Sequence, residues 1–117
     1  MTLNRAPDYL EHMLEAALQA CAYVEGFSKA EFLADKRTQQ AVVLNLILIG
    51  EEASKLLKED EAFADLHPEV PWRSMKGMRN RIAHGYFEID LETVWATVQT
   101  ALPQLIEQLS LLGRRVD

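Results

Sequence analysis

Between Ala41 and Ile49 every residue except Asn45 is apolar. The run is far too short to span a membrane as a helix, which takes roughly 20 apolar residues. Asp35 reads as the N-cap of a helix that runs from Lys36 through Leu44 and Leu48 to Leu56 or Lys58. Val42, Val43, Leu46, Ile47 and Ile49 cannot all face one neighbour at about 100° per residue. The helix is therefore either central to the fold, buried by other helices of its own chain, or also the seam of a homodimer. The seam is the preferred use.

Other helical patterns surround it. Apolar residues recur at Leu10, Met13, Leu14, Ala17, Leu18, Cys21 and Val24, opposite Glu11, Glu15 and Gln19, which predicts a first helix started by Pro7 and stopped near Gly26. Ser28 and Glu31 have the spacing of a capping box. The stretch from Glu59 to Val70 is acidic, holds Pro68 and lacks periodicity, and reads as a connecting loop. A helix is expected over Trp72 to Ala83, between Pro71 and Gly85. Asp90 caps a last helix whose face is Val94, Trp95, Val98, Leu102, Leu105, Ile106, Leu109 and Leu112, with a kink at the internal Pro103. Five Gly and four Pro are too few for a chain built on tight β-turns. The expectation is one all-α domain over residues 1–117.

A single Cys21 rules out an internal disulfide framework, and the first residues show no basic-then-apolar leader pattern. A cytoplasmic location is expected. The formal net charge of -6 argues at first against nucleic acid. Residues 71–87 reverse that impression, for they carry Arg73, Lys76, Arg79, Arg81 and His84 and no Asp or Glu. Any polyanion is expected to bind there.

Inside this segment, residues 78–86 bring an arginine, an amide, an imidazole and a phenol together at a helix end. Imidazole takes a proton from a ribose 2'-OH near neutrality, guanidinium forks onto phosphoryl oxygens, and an amide orients either. Asn80 and His84 share a helix face, whereas Arg79 and His84 lie about 140° apart on an ideal helix. Either Arg79 reaches around or the helix relaxes before Gly85. His12 and His67 have no partners at metal-ligand spacing, so neither a metal nor a cofactor is expected. Cys21, Trp72 and Trp95 read as packing residues. The acidic run from Glu59 to Asp65 reads as a solvated loop that is also available to a basic partner surface.

The string Arg79-Asn80-Arg81-Ile82-Ala83-His84-Gly85-Tyr86 resembles the R-x4-H-x-Y signature of HEPN-domain ribonucleases, specifically HepT-like toxins. Ile49-Gly50-Glu51-Glu52-Ala53 is similar to the Gly-Glu-Ala stretch of that family's second helix. Val70-Pro71-Trp72 ahead of the motif, and Asp90-Leu91 with Val94-Trp95 behind it, extend the likeness over roughly residues 8 to 112.

The resemblance implies a HEPN-like up-down bundle of four to five helices that dimerises so that two motifs face one cleft. It implies the toxin of a type VII-like HepT/MntA toxin–antitoxin system, a metal-independent endoribonuclease acting on tRNA or mRNA. Arg79 and His84 are then the catalytic pair, with Asn80, Tyr86, Arg81, Arg73, Lys76 and Glu51 supporting them. Glu51 and Glu52 remain alternatives for the carboxylate facing the site. The implied partner is an MntA-type nucleotidyltransferase antitoxin that transfers AMP to Tyr86, a local charge switch. The alternative is a non-catalytic HEPN module that binds a nucleotidyltransferase or a nucleotide.

Overall fold

The computed structural model describes residues 5–116; the expected domain span of 1–117 runs past these at both ends. Helices α1 (Ala6–Tyr23), α3 (Lys36–Glu59) and α5 (Trp72–His84) form three rods. A fourth is continuous through α6 (Leu91–Ala96), a π-helical stretch (Thr97–Ala101) and α7 (Leu102–Val116). Short helices α2 (Lys29–Ala34) and α4 (Glu61–Leu66) and a 3-10 turn at Tyr86–Glu88 join them. The fold is all-α, as expected. No helix among the described residues is long and apolar enough to cross a membrane.

The caps written in the sequence form. Ser28 and Glu31 close a reciprocal capping box at α2. The Asp35 carboxylate accepts from the Thr38 amide at α3, and that of Asp90 accepts from the Glu92 and Thr93 amides at α6. Each satisfies amides that a helix start leaves without partners.

α3 is the central rod, lying between α1 and α5, and α1 in turn packs on α7. Val42, Val43, Leu46, Ile49, Ala53 and Leu56 are buried within the chain itself, while Leu44 and Leu48 remain 55% and 44% exposed. α1 and α3 run antiparallel: the Tyr9 hydroxyl donates to Glu59, and His12 Nδ1 lies 3.3 Å from Glu52 Oε1. The hydrogen bond to the Glu59 carboxylate raises the Tyr9 phenol above its usual range. That tie is whole below the ordinary phenol range and is lost as pH rises through the raised value.

Three expectations change. The buried side of α1 is centred on Ala16, Ala17 and Ala20 with Tyr9, Leu10 and Met13, while Leu18 is half exposed. Small residues there let the neighbouring rods come close, a signal that the larger apolar side chains mask. The segment expected as a loop after Glu59 contains α4, capped by Asp60, whose Oδ1 accepts from the Phe63 amide at 3.1 Å. Phe63 anchors it against His67 and Trp72, and Trp72 Nε1 donates to the His67 carbonyl at 3.0 Å.

The third change concerns Pro103. The helix runs on through it, and the adjustment lies in the preceding turn, where the Leu102 amide reaches back five residues to the Thr97 carbonyl. In that register the partner for the Val98 carbonyl is the amide that Pro103 lacks. The Cys21 thiol donates to this carbonyl instead, at 3.9 Å. Burial raises the thiol above its usual range, as suits a packing cysteine rather than a nucleophile.

Gly50 on α3 sets the spacing to α5. A Cβ there would stand 2.7 Å from the Met75 carbonyl oxygen and press on the stem of Arg79. Gly113 on α7 has nothing within 4 Å of the same construction. Gly50→Ala should therefore destabilise the fold by about 1–3 kcal/mol, as overpacking does. Gly113→Ala should leave stability unchanged or raise it by up to ~1 kcal/mol. Thermal or urea unfolding of the two variants checks both signs.

Candidate functional site

The site is built on α5, which starts after Pro71 and ends at His84, where the Gly85 amide donates to the Arg81 carbonyl at 3.2 Å. The side of α5 that packs on α3 reads Trp72, Met75, Arg79 and Ile82, a three-four-three spacing. Arg79 thus occupies a core-facing position, and its side chain is only 19% exposed. Its stem lies over Gly50, where no side chain competes for the space. Glu51, the next residue of α3, forms an ion pair with Arg79 Nη1, and Arg79 Nε donates to Asn80 Oδ1 at 2.8 Å. Two of the five guanidinium N–H groups are thereby engaged, which leaves three for a ligand.

Of the two carboxylates weighed from the sequence, Glu51 is the one that pairs with Arg79. Glu52 turns to the other side of α3, where Oε1 meets His12 at 3.3 Å and Lys55 at 3.7 Å. Its Oε2 is buried with no hydrogen-bond partner among the described residues.

His84 is exposed at the last position of α5, where a protonated imidazole complements the helix dipole. α5 stays helical through His84, so the angular separation from Arg79 persists, and no hydrogen bond joins the two within this chain. Tyr86 is 40% exposed in the 3-10 turn, edge-on to Phe87 at 5.3 Å, and Phe87 is 95% exposed. Lys76 and Arg81 are exposed on α5.

Arg73 behaves differently from the expectation of a free basic stretch. Its Nη2 lies 3.4 Å from Glu61 and 3.7 Å from Asp65, both on α4. Folding therefore brings acids to two of the four cations, Arg73 and Arg79, and leaves Lys76 and Arg81 without ion pairs among the described residues. A linear count of charge has no means of finding these pairs, whose members lie 8 to 28 positions apart. No group of three or more His, Cys, Asp or Glu among the described residues is arranged to hold a metal ion.

The arrangement combines a positioned guanidinium, an amide beside it and an exposed imidazole one turn on, and so suits binding and proton transfer at a phosphate ester. Comparison with known proteins adds a second line. The family described as "Ribonuclease HepT-like" matches residues 13–112. A protein of Thermococcus cleftensis named "Probable ribonuclease HepT" is 43% identical over 98 residues, covering 84% of this chain and 86% of that one. A candidate RNase of Methanocaldococcus jannaschii is 37% identical over 109 residues, 93% of this chain and 88% of its own. A candidate RNase of Caldanaerobacter subterraneus is 35% identical over 101 residues, 86% and 88% of the two chains. No solved structure matches the chain.

The pairing on α3 generates a direct expectation. In double-mutant cycles read by urea unfolding, Glu51→Gln and Arg79→Gln should couple by about 1–2 kcal/mol, as for a charge-assisted hydrogen bond that is partly shielded from water. Glu52→Gln, on the opposite side of α3, should couple to Arg79→Gln by less than about 0.5 kcal/mol.

Proposed function

Because this chain belongs to the HepT-like ribonuclease family, we propose that it is a metal-independent endoribonuclease and the toxin of a type VII-like HepT/MntA toxin–antitoxin pair. The observation that carries this reading is the end of α5, where Arg79 is held by Glu51 and Asn80 while His84 stays open to a substrate. Either tRNA or mRNA is a suitable substrate class. His84 takes the proton of a ribose 2'-OH, whose oxygen then forms a bond to phosphorus. Arg79 stabilises the charge that builds on the phosphoryl oxygens. The P–O5' bond breaks as the leaving oxygen gains a proton, giving a 2',3'-cyclic phosphate and a 5'-hydroxyl. Asn80 orients Arg79, and Lys76 and Arg81, without ion pairs among the described residues, attract the RNA.

Arg79 and His84 of one chain point in different directions, which favours a working site assembled from two copies. The exposed Leu44 and Leu48 on α3 supply an apolar face for such a dimer. Glu51, paired with Arg79, is the positioning carboxylate of the site. The rival reading, a non-catalytic HEPN module that binds a nucleotidyltransferase or a nucleotide, draws on the same ion pair, since it already occupies part of Arg79.

Regulation in this proposal falls to Tyr86. An MntA-type nucleotidyltransferase antitoxin joins the phenol oxygen to the α-phosphorus of ATP and releases pyrophosphate. The added phosphodiester places negative charge at the end of the basic stretch and blocks RNA phosphates. Tyr9 is buried, whereas Tyr86 is 40% exposed and, unlike the similarly exposed Tyr23, lies next to the end of α5.

Purified protein should cut RNA in EDTA and leave cyclic phosphate ends, and light scattering of the same sample should give twice the chain mass. His84→Ala and Arg79→Ala should each lower the rate at least about 100-fold. Arg79→Lys keeps a stem over Gly50 but loses the planar fork, and so separates loss of chemistry from loss of fold. Cleavage that needs added metal, or that survives both alanine changes, sinks the mechanism; a folded protein that never cuts favours the rival.

After co-expression with a cognate nucleotidyltransferase, intact mass and peptide mapping should find AMP on Tyr86, and Tyr86→Phe should escape it. An adduct on Tyr9 or Tyr23 would overturn the assignment.

A further inference from the structure

Beside the C-terminal end of α5 a cleft of about 270 Å3 opens between that helix, the Tyr86–Glu88 turn and the start of α6. Its apolar lining is Met78 and Ile82 from α5 with Ile89 and Val94 from beyond the turn, and Ile82 and Val94 are buried. The volume falls just below the roughly 300–1,000 Å3 of pockets for drug-sized ligands and suits a single planar heterocycle.

Three charged side chains line the same cleft: Arg81, Glu88 and Asp90. Asp90 is committed to the start of α6, with Oδ1 accepting from the Glu92 and Thr93 amides and Oδ2 from the Thr93 hydroxyl. Arg81 and Glu88 have no side-chain partner among the described residues. The cleft therefore offers an apolar surface for a ring and the Glu88 carboxylate beside Gly85, with the exposed Arg81 at its rim, its Nη1 lying over Gly77 one turn back on α5 and free to swing onto a bound base.

Among the RNA bases, guanine alone gives each charged group a two-point partner. Its O6 and N7 accept from a guanidinium, and its N1–H and N2–H2 donate to a carboxylate. Adenine sets the lone pair of N1 against the carboxylate, uracil offers it one N3–H, and cytosine offers it one amine. The purine also covers more of the apolar lining than a pyrimidine does. We infer that this cleft binds a guanine base of the RNA, with Arg81 on its O6/N7 edge and Glu88 on its N1/N2 edge. The inference rests on the ribonuclease reading for RNA as the source of the base. Because Gly85 is part of the lining and adjoins His84, the bound guanosine flanks the bond to be cut.

Binding tests it apart from catalysis. Fluorescein-labelled oligouridylates carrying one central guanosine, adenosine, cytidine or inosine are titrated by anisotropy into His84→Ala protein, which leaves them intact. The guanosine oligomer should bind roughly 10- to 100-fold more tightly than the adenosine and cytidine oligomers. Inosine, without the N2 amine, should fall between. Glu88→Gln, added to His84→Ala, turns one acceptor into a donor and should remove most of the guanosine preference; a melting profile checks that the exposed change leaves the fold intact. Equal affinity for all four oligomers, a preference that survives Glu88→Gln, or no binding to any of them overturns the inference. Guanosine-selective binding without cleavage in the EDTA assay would sink the nuclease and keep the cleft. Cleavage with no base preference would do the reverse.

Discussion

The close approach of α3 and α5 at Gly50 governs the placement of everything else near the site. A larger residue there would meet the Met75 carbonyl and the root of Arg79, so the absence of one methyl group lets an arginine stand in a row otherwise made of Trp72, Met75 and Ile82. A charge shielded from water needs a partner. Glu51 follows Gly50 directly, so the residue that makes room and the residue that answers the charge are neighbours on one turn of α3. The guanidinium is thereby fixed by packing at its stem and by hydrogen bonds at its head, the two supports that a preorganised site requires.

The electrostatics of α5 look different once folded. The acid-free stretch of the sequence is crossed by acids from two other helices, with Glu51 of α3 on Arg79 and Glu61 and Asp65 of α4 on Arg73. What remains open to a polyanion is narrower than the sequence suggests, centred on Lys76, Arg81 and the helix end. The pairs with Arg73 lie at the surface and contribute little to stability. They offset the charge of Arg73 at the start of α5, so that the cations without ion pairs among the described residues are those nearer its C-terminal end.

Much of this was legible beforehand because it is local. Ser28 with Glu31, Asp35 and Asp90 announce helix starts through side chains that reach only two or three residues, and each forms as read. The Arg79 to Tyr86 string likewise identified the family from consecutive residues. What escaped depends on distance in sequence or on the absence of bulk. The alanines of α1 look weaker than Leu18, yet they are buried because a close contact needs small residues. The α4 turn is stabilised by Phe63 against Trp72, a contact that no window of periodicity contains. Arg79 carried no sign of its core-facing position, since a charged residue within an apolar stripe reads as an interruption. Glu88 drew no notice either, because its interest comes only from the cleft it shares with Arg81.

The π-helical stretch explains a peculiarity of the last helix. Val94, Val98 and Leu102 are spaced four and four, a pattern that on an ordinary helix drifts by about 40° per step and walks off the core. All three are nevertheless buried, as are Leu105, Leu109 and Leu112, which resume the usual spacing. The wider turn at Thr97–Ala101 absorbs the drift, so that both ends of the rod present the same side to the bundle. This rod is better regarded as two helices in different phase, spliced with about one residue of slack. Loss of a single residue at the splice would draw the wide turn back to an ordinary one while each end kept its own contacts, a tolerance that a uniformly wound helix of the same length does not possess.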